Sequence, residues 1–194
     1  APGARQISIL MPPGEYTVKL EVDGEEFTQS LTVLKDPNTA GSEADIAAQV
    51  AFLKAVREDA VEAGRAVERV EAIRVQLQTL ARFSDDEDIV AAAEEFGRKL
   101  QDLQMNMVDL RQTGQGQDAV RFEAKLLQKI GYLTGGVSVA DFRPTDQDLE
   151  VYVVLQGRLR EHLRQMEALV AGDLAELNAL LQQKGVPAIG GGGN

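Results

Sequence analysis

Apolar positions repeat in two different periods along this chain, and the period changes near residue 40. From Gly14 to Val33 it is two: Tyr16, Val18, Leu20 and Val22 alternate with Thr17, Lys19 and Glu21, and Phe27, Leu31 and Val33 alternate with Thr28, Ser30 and Thr32. Asp23-Gly24 between the runs signals a hairpin turn, because glycine accepts positive φ without steric cost. A four-residue loop through Glu26 would pair Val22 with Phe27; a two-residue loop would pair Leu20 with Phe27. Both keep the apolar residues on one face. Ile7, Ile9 and Met11 also alternate, which predicts a third strand over Gln6–Met11, cut from the hairpin by Pro12-Pro13-Gly14. An amphipathic sheet this small needs a lid, which the helices or an upstream segment would supply. Asp36-Pro37-Asn38 closes the second strand.

Beyond Ser42 the period becomes helical. Leu53, Val56, Ala60, Ala63, Val67, Val70 and Leu77 form a stripe lasting to about Ala81, opened by a Ser42-x-x-Asp45 capping box. Ala60, Ala63 and Gly64 at its middle suggest a seam where a second helix approaches closely. Arg74 sits on the stripe and is expected to snorkel at a bundle end. A second helix, with Ser84 to Glu87 as its capping box, carries Ile89, Ala93, Phe96, Leu100, Leu103, Met107 and Leu110 at 4-3-4-3 spacing. A shorter third helix is predicted over Asp118–Leu133, with Val120, Leu127, Ile130 and Leu133 inward, then a loop over Thr134–Pro144. Thr145 and Asp148 cap a fourth, whose stripe (Leu149, Tyr152, Leu159, Leu163, Met166, Val170, Leu177, Leu181) runs to Gln183, with Gly172 free to bend it. Gly185 and Pro187 stop it.

The fold class that follows is mainly α: an antiparallel up-and-down four-helix bundle with a small N-terminal β-hairpin or three-stranded antiparallel sheet. Residues 1–38 form the β segment, 42–185 the bundle and 186–194 a flexible glycine-rich tail.

Composition narrows the chemistry. The net charge of −11 argues against nucleic acid and anionic membrane as partners, since both need a basic face. With no cysteine there is no disulfide, thiolate zinc site or thiol nucleophile. No apolar run reaches the ~18 residues of a membrane span. An opening at Ala1-Pro2-Gly3 without methionine is read as a piece excised from a longer chain.

No catalytic, cofactor or metal residue is assigned. His162 is the only histidine and follows Glu161 directly, so a di-iron Glu-x-x-His pair cannot be built. Gly136-Val137-Ser138-Val139-Ala140 approximates a nucleophile elbow but lacks the strand-to-helix setting that would expose the serine. Gly114-x-Gly116 lacks a third glycine, and Asp85-Asp86-Glu87-Asp88 lacks interleaved calcium-loop spacing. No carboxylate falls on a predicted apolar stripe.

The pattern P-G-x-Y-x-V-x-L-x-V-D-G over Pro13–Gly24 is similar to the last hairpin of bacterial Ig-like modules. Together with ADFRPTDQDLEVY and DLAELNALLQQKGVPAI, it resembles the C-terminal region of bacterial sortilin-like proteins with BNR/Asp-box β-propeller repeats, over about Pro12–Ile189. The resemblance implies an exported or cell-surface parent and a non-catalytic tail, with no functional residues to carry over. The expected role is an accessory domain that docks on its own upstream propeller, binds a partner protein or forms a homodimer. The alternative is a ligand- or metal-binding, even hydrolytic, bundle using carboxylates near the 134–144 loop. A sugar-binding β module on a helical stalk is a third reading, disfavoured by the lack of tryptophan.

Overall fold

The computed structural model describes residue 7, residues 9–113 and residues 116–191. It is mainly α, a helical bundle preceded by one antiparallel hairpin. Strand β1 (Gly14–Val22) pairs with β2 (Glu25–Val33) through the two-residue turn, so Leu20 faces Phe27 and Tyr16 faces Leu31. Asp23 and Gly24 have φ of 51° and 84°, the pair of positive values a twist-matched two-residue turn demands. The expected third strand is absent among the described residues: Ile7 and Ile9–Met11 are irregular, and Gln6 and Ser8 lie outside the description.

Helix α1 (Glu43–Phe83) is 41 residues long and begins with the expected box, the Ser42 hydroxyl accepting from the Asp45 amide and the Asp45 carboxylate from the Ser42 amide. Helix α2 (Glu87–Met107) buries Ile89, Ala93, Phe96, Leu100, Leu103 and Met107, as its spacing predicts. Leu110 lies beyond its end and is exposed. Its N-cap is Asp86, which accepts from the Asp88 and Ile89 amides; Ser84 instead ends α1. A carboxylate two residues nearer the apolar run outcompetes the serine, since it meets the helix dipole with a full charge.

The predicted third helix is broken. A single turn, α3 (Asp118–Arg121), is separated by an extended stretch from α4 (Leu126–Val137), and Val120 is 82% exposed instead of inward. The Gln128 side chain accepts from the Lys125 amide and starts a new helix there. Helix α4 then runs through Gly135 and Gly136 to Val137, so the interhelical loop is shorter than 134–144.

The last rod is α5 (Asp146–Leu169), a π turn over Val170–Leu174 and α6 (Ala175–Gln183). Backbone angles stay right-handed helical through Gly172, so the rod is widened there without breaking. Thr145 and Asp148 cap it as expected, and Gly185 ends it at φ 74°, with the Val186 amide returning to the Leu181 carbonyl.

Helices α1, α2, α4 and the α5–α6 rod share one core around Val56, Val70, Ile73, Leu100 and Leu159. Two expectations along α1 fail. Ala63 is buried, but a Cβ at Gly64 would meet open space, so Gly64 is no close-approach point. Arg74 does not snorkel; its guanidinium is largely buried and donates to Gln104, Gln101 and Glu71. No helix among the described residues is long and apolar enough to cross a membrane.

Candidate protein-interaction surface

The hairpin does not pack its apolar face on the helices. Val18, Leu20, Val22, Phe27 and Leu31 share that face, and Leu20 and Phe27 are 58% and 54% exposed. The opposite face is polar and internally paired: Lys19 bridges to Glu26, and the Thr32 hydroxyl donates to Glu15 at 2.6 Å. Four carboxylates, Glu21, Asp23, Glu25 and Glu26, surround the turn, with Lys19 the one cation in the two strands. A row of exposed branched and aromatic side chains thus lies beside a concentrated negative charge.

Both stems of the hairpin are held by the bundle. On the entry side Ile9 is half-buried against the helical core, and Tyr16 donates to the Pro12 carbonyl at 2.5 Å. On the exit side Asp36 forms an Asx turn with the Asn38 amide, and Lys35 donates to the Thr39 carbonyl at 2.8 Å. The Thr39 hydroxyl donates to Asp141 at 2.7 Å. Gly41 then passes against the α4–α5 loop so closely that a Cβ would lie 1.4 Å from the Asp141 carbonyl oxygen. That loop is fastened in turn by buried Gln49, which donates to the Val137 and Ala140 carbonyls, and by Arg143 pairing with Asp45 at 2.7 Å. The hairpin is exposed, yet it is mounted on fixed points.

The residues that sequence patterns single out do not converge on this surface or on each other. Ser138 is the C-cap of α4 and offers no elbow. His162 is half-buried on α5, 3.4 Å from the Gln165 amide oxygen. Asp86 and Asp88 grip Lys184 at 2.7 and 3.0 Å, which ties the start of α2 to the end of the last rod. Gly114 lies outside the described residues. Near the 134–144 loop, Asp141 accepts from Thr39, while Asp45 serves Ser42 and Arg143. Among the described residues no group of three or more His, Asp or Glu side chains could hold a metal ion.

Two buried carboxylates escape the sequence pattern. Asp59, 4% exposed, lies within the α1 stripe beside Ala60, contrary to the expectation that no acid does. It accepts from the Tyr152 hydroxyl at 2.8 Å, Gln156 at 2.9 Å and Arg160 at 3.0 Å. Burial and the Asp59 carboxylate push the Tyr152 phenol well above its ordinary range. The signal was the three- and four-residue spacing of Asp59 from Val56 and Ala63. Asp109, also buried, pairs with Arg111 through two bonds of 2.8 and 2.6 Å, which lower its pKa to about 2. Ser42 and Arg143 likewise hold Asp45 at about 2. Every oxygen in these groups is engaged, so they are locks.

An apolar hollow of about 820 Å³ opens between α4 and α5, walled by Tyr132, Leu133, Val151 and Val154 and edged by Lys129 and Arg158. Gln112, Gln128 and Glu150 also line it, the two glutamines bonded to each other.

Comparison of the chain with known protein families, with characterised proteins and with solved structures finds no match.

Proposed function

We propose that this chain is a non-catalytic interaction module whose hairpin docks on a partner protein through its apolar face. The single observation carrying this is the exposed row Val18, Leu20, Val22, Phe27 and Leu31 on a hairpin whose two stems are fixed. A pre-formed element loses less entropy on docking than a flexible one. The charge of the tip sets the partner: an apolar depression rimmed by lysine or arginine complements Glu21, Asp23, Glu25 and Glu26. The resemblance to the tails of sortilin-like propeller proteins supports a place as the accessory domain of a larger exported protein, with its own propeller as one such partner.

The test is site-specific photocrosslinking in the native cells, with benzoylphenylalanine at Phe27 and, as control, at Ser30 on the polar face. The reading expects a defined crosslinked protein from position 27, weaker in a Leu20→Asp background and in raised salt. Equal crosslinking from both positions, or none from position 27, sinks it. Light scattering at several concentrations then separates a second copy from a different partner, since only the former raises the mass of the pure chain.

A further inference from the structure

Residues 186–191 leave the last helix and lie back across α1 and α6, where three side chains hold three consecutive backbone units. Asn178 makes a two-bond clamp on residue 189: its carbonyl accepts from the Ile189 amide at 2.9 Å, and its NH2 donates to the Ile189 carbonyl at 3.0 Å. Gln76 repeats the device on the next residue, accepting from the Gly190 amide at 3.0 Å and donating to its carbonyl at 3.2 Å. Arg69 donates through Nε to the Gly191 carbonyl at 2.7 Å, and is itself oriented by Glu167 at 2.6 Å.

These contacts read main chain and leave side chains to be read separately. Val186 and Ile189 are half-buried against the helical core. At 191 a Cβ would sit 3.5 Å from Leu174 and 3.7 Å from Val170 and Arg69, so a methyl fits while a longer side chain meets that wall. The π turn over Val170–Leu174 supplies two of these contacts.

We propose that Asn178, Gln76 and Arg69 form a backbone-reading clamp for an extended peptide with a branched apolar residue and, two positions on, a small one. In this structure the chain's own Val186–Gly191 fills it. An equivalent segment supplied in trans competes for the same place, which makes the clamp a self-occupied peptide site. Held a few residues from the end of its helix, the chain's own segment competes at an effective concentration on the order of millimolar. The clamp and the hairpin are separate surfaces, and neither proposal depends on the other.

The experiment is a titration of fluorescent peptide Val-Pro-Ala-Ile-Gly-Gly into two forms of the full chain. One is unaltered; the other carries Ile189→Asp and Gly190→Pro, which spoil the resident segment, the proline by removing the amide that Gln76 accepts, and leave the clamp intact. Both changes lie outside the helices, and far-UV circular dichroism checks that the bundle is retained. The expected result is saturable binding at least about tenfold tighter to the altered chain, lost when Asn178→Ala is added. Binding no tighter than to the unaltered chain, or binding indifferent to Asn178→Ala, overturns the proposal. A chain ending at Gly185 serves as a second altered form, with the same two outcomes.

Discussion

Single residues fix this molecule at points where polar atoms are withdrawn from water. Asp59 is the clearest, an acid inside an apolar stripe with Tyr152, Gln156 and Arg160 all turned to it. Replacing it by alanine leaves the Tyr152 hydroxyl without its acceptor and Gln156 with only the Tyr152 oxygen to donate to, an expected loss of about 2–3 kcal/mol in urea unfolding. In a Tyr152→Phe background the same change should cost less, because part of the penalty has gone with the hydroxyl. A loss that is the same in both backgrounds would mean that the pair is not coupled. Asp59 was hidden from pattern reading because a stripe is recognised by apolar residues, and an acid in phase with it looks like surface. What buries it is a tyrosine 93 positions away, a partner that local spacing does not reveal.

At the scale of elements, legibility followed the strength of the local signal. Helix α2 was readable along its stripe, since six of its seven stripe residues are buried, while its ends were not: Asp86 and not Ser84 caps it, and Leu110 falls beyond it. Leu100, at 0% exposure, is its centre, and Leu100→Asp places a charge with no partner in that core. The expected cost exceeds about 4 kcal/mol, seen as loss of a cooperative thermal transition; retention of the melting temperature would refute the assignment. The segment before α4 was misread for the opposite reason. Val120, Leu127 and Ile130 fit one helical face only if the chain stays helical through Phe122–Ala124, and the capping of Lys125 by Gln128 decides otherwise. Two glycines in succession likewise suggested a loop at 135–136, yet the helix carries through them, flanked by buried Thr134 and Val137.

Across the whole molecule, carboxylates have two different settings: some lock the bundle, others ring the exposed hairpin turn. The bundle holds several of its carboxylates in caps and ion pairs, Asp45, Asp86 and Asp109 among them, and this predicts its acid sensitivity. Asp45 and Asp109 are held at about 2, below their ordinary 3.8. A carboxylate so lowered stabilises the fold fully above its unfolded value and ceases to do so as pH falls through the folded one. The melting temperature should therefore decline between about pH 4 and pH 2, less steeply in Asp109→Asn. A flat profile in the unaltered chain would contradict those pairings. The hairpin behaves differently, because its apolar face contributes little to the core. Leu20→Asp together with Phe27→Asp should leave bundle stability within about 0.5 kcal/mol per substitution, while reducing binding of a dye that reports exposed apolar surface. A large loss of stability would place the hairpin in the core after all. The hairpin itself and its shared apolar face were legible from Asp23-Gly24 and the alternation around it, while the choice between a two- and a four-residue loop, and with it the register, was settled only by the structure. Its lack of cover was not, since alternation tells which residues share a face and nothing about what lies opposite.

The π turn at Val170–Leu174 sets the angle between the two halves of the last rod. One residue beyond α-helical count turns everything downstream by about 100° about the helix axis. It thus works as a phase shifter: α5 meets α1, α4 and α2, while α6 meets α2 with Leu177 and Leu181. An uninterrupted α-helix of the same sequence would carry Leu177 and Leu181 a quarter-turn round, along with Asn178 on the same helix. Core closure at that end and the grip on residues 189–191 are therefore set by the same inserted residue, and the register of one cannot drift without the other.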